Sequence, residues 1–245
     1  LSTVDDKIEV IDHQIIETQA LKKGLMQRLL TKGIGHTEFK ESPLGMIPKS
    51  WEVVKLGDIA EIVDPQPDHR TPAEVANGIP YIGMGDINNG KINFDNARKV
   101  SPEALNKQIR GFEIYPEAFV FGKIGTIGNP TPIPTERFYA LSANLILMTS
   151  KQLEIAKYLY VIIQSSIIDK QLKHMTNTTS QPALGIKKAR ELMVPLPKEK
   201  EMNQISDTMR LIEEKLIILM DKKESYQKLK QGLMQQLLTG KIRVK

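Results

Sequence analysis

The stretch LKKGLMQRLLT, Leu21 to Thr31, returns near the other end of the chain as LKQGLMQQLLT, Leu229 to Thr239, with nine of eleven positions identical at an offset of 208. The alignment extends backward at the same offset, from VDDKI (Val4 to Ile8) onto IEEKL (Ile212 to Leu216), Ile11 onto Leu219 and Gln19 onto Gln227. Apolar residues at Leu1, Val4, Ile8, Ile11 and Ile15 step by 3, 4, 3 and 4, and those at Met209, Ile212, Leu216 and Leu219 by 3, 4 and 3. That alternation is the seam of a coiled coil. Ile205 joins it one step earlier. Beyond the seam the phase is expected to shift, between Ile15 and Leu21 in the first copy and between Leu219 and Tyr226 in the second. It resumes at Leu21, Leu25 and Leu29, and at Leu229, Leu233 and Leu237. The expected interface is therefore Val4, Ile8, Ile11, Ile15 and Leu25 on one helix, with Ile205, Met209, Ile212, Leu216, Leu219 and Leu233 on the other. An amphipathic helix lying on a core has the same periodicity. A duplicated seam flanking a separate domain favours the coiled coil. Each copy also carries a mid-helix glycine, Gly24 and Gly232, at a cost of roughly 1 kcal/mol against alanine. A close approach by another helix, or by a partner, would offset it, and the sequence leaves both open.

Between the helices the pattern changes. TKGIGHTEFKESPLGMIPKSW is rich in Gly, Pro and Ser and reads as a linker. From Trp51 the chain alternates short strands, glycine turns and helices. EVVKLGDIAEIV is a strand or short helix, and IPYIGMGDINNGKINF a hairpin or loop. SPEALNKQI is a helix with Ser101 as N-cap and Pro102 in its first turn. FVFGKIGTIG reads as strand, tight turn, strand, and LSANLILMT as a strand. The run from Leu153 to Met175 reads as one helix with a single buried face, and ELMVPLP as a closing strand. The expected organisation is a helix over 1–34, a linker over 35–50, an α/β domain over 51–198 and a second helix over 199–245. Residue 1 aligns with Met209, inside the second helix, so the chain is expected to open mid-repeat, as a piece of a longer protein or with its first helix cut short.

Composition removes whole classes of chemistry. Cysteine is absent, which excludes disulfides, thiolate metal sites and a cysteine nucleophile. The four histidines, His13, His36, His69 and His174, are scattered, with no H-x-x-x-H pair. There is no phosphate-binding G-x-x-x-x-G-K-[ST], and no glycine cluster leads into a helix as dinucleotide binding requires. NPTP, Asn129 to Pro132, is similar to the N-P-P-aromatic motif of amino-methyltransferases but lacks the aromatic that stacks on a flipped base. No cofactor or metal is expected, nor catalysis by this chain alone. No apolar run reaches the length of a membrane span, and the first residues carry no secretory pattern, so a cytoplasmic location is the default expectation.

The net charge of +5 and pI near 9.2 are compatible with a polyanionic partner. Two segments offer the chemistry to meet one. GKIGTIG, Gly122 to Gly128, places Lys123 and Thr126 near the tip of a glycine turn, where backbone and side-chain donors can approach phosphates or base edges. The second segment brings five successive short hydrogen-bonding side chains, Asn177, Thr178, Thr179, Ser180 and Gln181, followed by Lys187 and Lys188. A solvated turn and an ordinary polar surface loop are the bland readings of these two. Arg70, Lys91, Arg98, Lys99, Arg110 and Arg137 add positive charge, Arg70 and Lys91 being the further candidates for contact. Aromatic residues are only 5% of the chain, too few to stack single strands, so duplex DNA fits better.

IPKSWEVVKLGDIAEI, YPEAFVFGKIGTIG, TSQPALGIKKARELMVPLPKEKEMNQI and the twice-occurring LKxGLMQxLLT, in this order, resemble half of a specificity subunit of a type I restriction–modification enzyme. The resemblance runs along essentially the whole chain and implies a single target-recognition domain flanked by two long helices forming an antiparallel coiled coil. It implies a non-catalytic subunit that reads one half of a bipartite duplex. Its helices would bind methyltransferase subunits and, through them, the restriction subunit. A natural half-subunit would supply the second domain by dimerising. Two rival readings are a coiled-coil scaffold whose middle domain binds protein, and the recognition part of a larger DNA-modifying enzyme.

Overall fold

The computed structural model describes residues 1–68, 70–88, 90–123, 130–176 and 184–239. The chain divides into two compact units, residues 1–29 with 206–245, and residues 30–205. In chain order the elements begin with α1 (Ser2–Lys32), β1 (Phe39–Lys40), β2 (Ile47–Pro48), β3 (Glu52–Lys55), α2 (Leu56–Ile59), β4 (Glu61–Val63) and β5 (Glu74–Ile82). After a 3-10 turn at Met84–Asp86 come β6 (Ile87–Asn88), β7 (Lys91–Ile92), β8 (Lys99–Val100), α3 (Pro102–Gly111), β9 (Phe119–Gly122) and β10 (Thr131–Pro132). The chain continues through β11 (Ala140–Leu141), β12 (Leu145–Thr149), α4 (Leu153–Ile162), α5 (Ser166–Thr176), α6 (Ile186–Glu191), β13 (Met193–Leu196) and α7 (Glu199–Leu238). Among the described residues no helix is long and apolar enough to cross a membrane.

The first unit holds most of α1 and α7. In α1, Val4, Ile8, Ile11, Ile15, Thr18, Lys22, Leu25 and Leu29 are all buried or half-buried, in an unbroken alternation of four- and three-residue steps. In α7 the same alternation runs from Ile205, Met209, Ile212, Leu216 and Leu219 through Lys223, Tyr226, Lys230 and Leu233 to Leu237. The expected phase shift is therefore absent. Leu21 and Leu229, expected to resume the pattern, are 50% and 49% exposed. The reason is that polar side chains occupy the places where the apolar pattern lapses. Thr18 is buried with its hydroxyl donating to the Gln14 carbonyl at 2.7 Å. The three lysines bury their stems and extend their charged ends. Lys22 Nζ lies 2.7 Å from Glu213, Lys223 Nζ 2.6 Å from Asp12 and Lys230 Nζ 2.6 Å from Asp5. The three pairs are spaced by equal steps on both helices, the residue numbers of α1 rising as those of α7 fall.

The second unit is built on small sheets. β4, β9, β10 and β12 form a four-stranded sheet in the order β10-β9-β12-β4, all neighbours antiparallel. β9 and β12 are buried along their whole length, as the continuous apolar runs FVFG and LILMT require. β11 pairs parallel with β5, which pairs antiparallel with β8. β13 returns to pair with β3, so the last strand of the unit lies against the first residues after Trp51. The core gathers Ile82, Val120, Tyr139, Leu141, Leu145 and Leu147, among others. Residues 35–50, expected as a linker, hold the β1–β2 hairpin, with Ile47 and Pro48 buried. Pro102 opens α3 as expected, and Ser101 stands at its N-cap without a capping bond from its side chain.

One expectation fails here. The run from Leu153 to Met175 is two helices, not one. After Ile162 the backbone tightens, with Gln164 N–H donating to Val161 O and Ser165 N–H to Ile162 O. The Ser165 carbonyl then accepts from Ile168 and Asp169 to begin α5. Both halves bury apolar residues, among them Tyr158, Leu159, Ile162, Ile168 and Leu172, so hydrophobic periodicity alone does not register the break.

The chain enters and leaves this unit at one carboxylate. Glu201, in the first turn of α7, accepts the Ile34 N–H at 2.8 Å and the Trp51 indole N–H at 2.9 Å. His36 Nε2 lies 2.9 and 3.0 Å from its two oxygens. Trp51 is fully buried. Gly33 has a positive φ of +63, and a Cβ there would lie 2.4 Å from Glu201 Oε1 and 2.7 Å from both His36 and Trp51. A Cβ on Gly24 or Gly232, in contrast, meets nothing within 4 Å. The same substitution should thus have opposite signs at two glycines of one helix region. Gly33→Ala should destabilise by more than the ~1–2 kcal/mol of a left-handed non-glycine backbone. Gly24→Ala should stabilise by about 0.5–1 kcal/mol. Denaturant melts of the two variants check both.

Candidate nucleic-acid interface

The sequence places its candidate contacts in segments far apart along the chain, and the fold joins several of them at the end of β9. That strand is wholly buried, and Lys123 is the first residue beyond it. Its N–H donates to the Asn144 carbonyl and its carbonyl accepts the Leu184 N–H, both at 2.8 Å. Leu184 is buried and immediately follows residues 177–183. The two polar segments singled out in the sequence therefore share one root. Thr126 of the first, and Asn177, Thr178, Thr179, Ser180 and Gln181 of the second, lie outside the described residues.

Lys123 is expected from the sequence as a donor to phosphates or base edges or, in the bland reading, as a solvated lysine of a tight turn. In the structure its Nζ lies 2.5 Å from Asp64 Oδ2, and both side chains are only 15% exposed. Lys187 and Lys188, in contrast, are exposed at the start of α6, and Lys188 Nζ donates to the Met175 carbonyl at 3.2 Å. Arg70 is exposed, and Lys91 is exposed on β7, which packs against β10. Arg137 is withdrawn from the surface. It donates to the Phe112 carbonyl at 3.1 Å and lies 4.6 Å from the centre of the Phe112 ring, and burial pushes its pKa down.

The loop carrying Arg70 is held by groups that sequence reasoning passed over. Gln66 N–H donates to Asp64 Oδ1, and the Gln66 amide donates to Asp68 at 2.8 Å and to the Arg70 carbonyl at 3.0 Å. Lys107 pairs with Asp68 at 2.6 Å and holds that exposed carboxyl below its usual range. Buried Gln108 of α3 donates to Gln66 at 3.3 Å and to the Leu141 carbonyl at 2.7 Å, and accepts the Leu141 N–H at 2.9 Å. A glutamine in a helix carries no sequence mark of such a role. The turn-rich DPQPD was the one available hint that this loop is ordered.

Residues 48–230 match the family described as "Type I restriction modification DNA specificity domain". The chain belongs to that family. Within it, the chain is 28% identical over 253 residues to the type I restriction enzyme MjaVIII specificity subunit of Methanocaldococcus jannaschii, a match covering all of this chain and 59% of that one. It is 28% identical over 249 residues to the putative MjaX specificity subunit of the same organism, covering 56% of that protein. The chain thus spans somewhat more than half the length of these curated relatives. Its fold is similar to the crystal structure of the S subunit from M. genitalium, with a TM-score of 0.63 and 18% identity over 96% of this chain and 58% of that one. The HsdS subunit from Thermoanaerobacter tengcongensis gives 0.58 and 14% over 96% and 56%. In this specificity-domain family member the buried Gln108 amide is the tie between α3 and β11. Gln108→Ala should leave the backbone groups of Leu141 unpaired and lower stability by about 1–3 kcal/mol, as read from denaturant unfolding.

Proposed function

We propose that this chain reads sequence in duplex DNA as a non-catalytic part of a type I restriction–modification complex, taking one half of a bipartite target. The observation that carries the reading is the family match across residues 48–230, which covers the second unit from Pro48 onward and continues along α7. The exposed Lys187 and Lys188 beside the root shared by the two polar segments support it. In this reading Lys187, Lys188, Arg70 and Lys91 meet phosphates, while Thr126 and residues 177–181 supply base contacts. A random-duplex selection with the chain tests the reading, which fails if no sequence is enriched. Lys187→Ala with Lys188→Ala should weaken enriched and scrambled duplexes alike. It should also make the slope of log affinity against log salt shallower by about 0.9 for each phosphate that is no longer neutralised.

The reading extends to the helices. α1 and α7 pack as an antiparallel coiled coil, supported by the three interhelical ion pairs and the unbroken heptad alternation of both helices. Methyltransferase subunits dock on their outer faces and bring the restriction subunit with them, in the cytoplasm. The exposed Val10 and Leu21 of one copy and Ile218 and Leu229 of the other stand at equivalent repeat positions and offer apolar contact. A natural half-subunit completes the target by pairing with a second copy. Leu21→Glu with Leu229→Glu should leave the melting temperature of the chain unchanged and abolish its co-purification with the methyltransferase subunit. Retained co-purification would move the docking surface elsewhere.

A further inference from the structure

Lys123 and Asp64 form a largely buried ion pair with no role in the contacts proposed above. Three segments meet there. The Lys123 side chain holds Asp64 at 2.5 Å. Its backbone holds Asn144 on one side and Leu184, the residue after 177–183, on the other. Asp64 in turn accepts the Gln66 N–H at 3.1 Å, and Gln66 continues to the Arg70 carbonyl. The loop bearing Arg70, the chain entering 124–129 and the chain leaving 177–183 are therefore all fastened at or next to this pair.

A desolvated ion pair is a poor device for stability, because removing two charges from water offsets most of their attraction, and apolar side chains of similar size often do as well. A charge-assisted hydrogen bond adds direction and a fixed distance. We infer that Asp64–Lys123 is a positioning pair for sequence reading. It touches no DNA, and it sets the mutual placement of the Arg70 loop and of Lys123 and Leu184, the residues that flank the two polar segments. The inference rests on the DNA-reading function proposed above. It differs in its consequences from a Lys123 that leaves Asp64 to bind phosphate.

The experiment compares the parent chain with Lys123→Met, Asp64→Asn and the double variant. Each is carried through selection from a random duplex pool, then titrated with the parent's enriched duplex and a scrambled one over a range of salt, and melted. The double variant leaves no uncompensated charge and is the decisive one if a single variant fails to fold. The expected result is a double variant that melts within a few degrees of the parent yet loses about tenfold or more of the enriched-to-scrambled affinity ratio, the scale of one base contact. The single variants should lose a similar factor, the double no more than either, and the salt slope on scrambled duplex should stay unchanged. A slope shallower by about 0.9 in Lys123→Met, with scrambled and enriched duplexes weakened equally and Asp64→Asn not weakened, overturns the inference in favour of phosphate contact. An unchanged affinity ratio, or a double variant that no longer folds, overturns it by giving the pair a purely structural role. A parent chain that enriches no sequence overturns the DNA reading itself and this inference with it.

Discussion

The carboxylate of Glu201 is the group on which the organisation of the second unit turns. A carboxylate only 14% exposed must be matched by donors. Its donors come from the residues just after α1 and from Trp51, the residue that precedes β3. Glu201 itself lies in the first turn of α7, where a negative charge is also favoured by the helix dipole. The chain therefore enters and leaves this unit side by side. The geometry leaves no freedom at Gly33, whose backbone is left-handed and whose missing Cβ is the space that the carboxylate, His36 and Trp51 share. The His36 ring stands edge-on to Trp51 at 6.0 Å. One acidic side chain thus accounts for a glycine, a histidine and a buried tryptophan that the sequence presents as unrelated residues of a linker.

What the sequence could show follows the range of the interactions involved. Buried strands such as FVFG and LILMT are legible because burial on both faces demands an apolar run. The seam of α1 and α7 was legible only where it was apolar. A reading that counts apolar positions takes Thr18, Lys22, Lys223 and Lys230 as interruptions, yet these residues hold the seam positions in step. A lysine whose stem is buried and whose ammonium reaches a carboxylate on the other helix satisfies the period as leucine does, and it disfavours a slipped register that would leave the charge unmatched. The break between α4 and α5 was hidden for the opposite reason. The apolar pattern continues across it, and only the local hydrogen bonding of Gln164 and Ser165 records the change.

In the candidate interface, residue types were legible and partners were not. Lysines and short polar side chains in glycine-punctuated segments mark a surface able to meet an anion. Nothing in local spacing reveals that Lys123 is engaged by a carboxylate 59 residues earlier, or that Gln108 reaches Gln66 across 42. Those separations are set by the closure of the sheets, and a pattern confined to a short window has no access to them. The difference matters for function. A lysine that keeps its ammonium exposed and a lysine held against a carboxylate look alike in sequence, yet only the first is free to exchange water for phosphate.

The repeated helix can now be weighed by where its two copies agree. At seam positions the copies differ in the first part of the repeat, with Ile15 aligned to Lys223 and Thr18 to Tyr226, and agree in the last, at Lys22 and Lys230, Leu25 and Leu233, and Leu29 and Leu237. Leu21 and Leu229, exposed, are identical, as are Gly24 and Gly232, beside which a methyl group would meet nothing within 4 Å. Packing within the chain supplies no reason for either identity, and a mid-helix glycine with open space beside it weakens its helix. Among the described residues no close approach by another part of the chain offsets that weakness at either glycine. A glycine that recurs at the same exposed place in both helices is therefore a constraint that the internal packing of the described residues does not set.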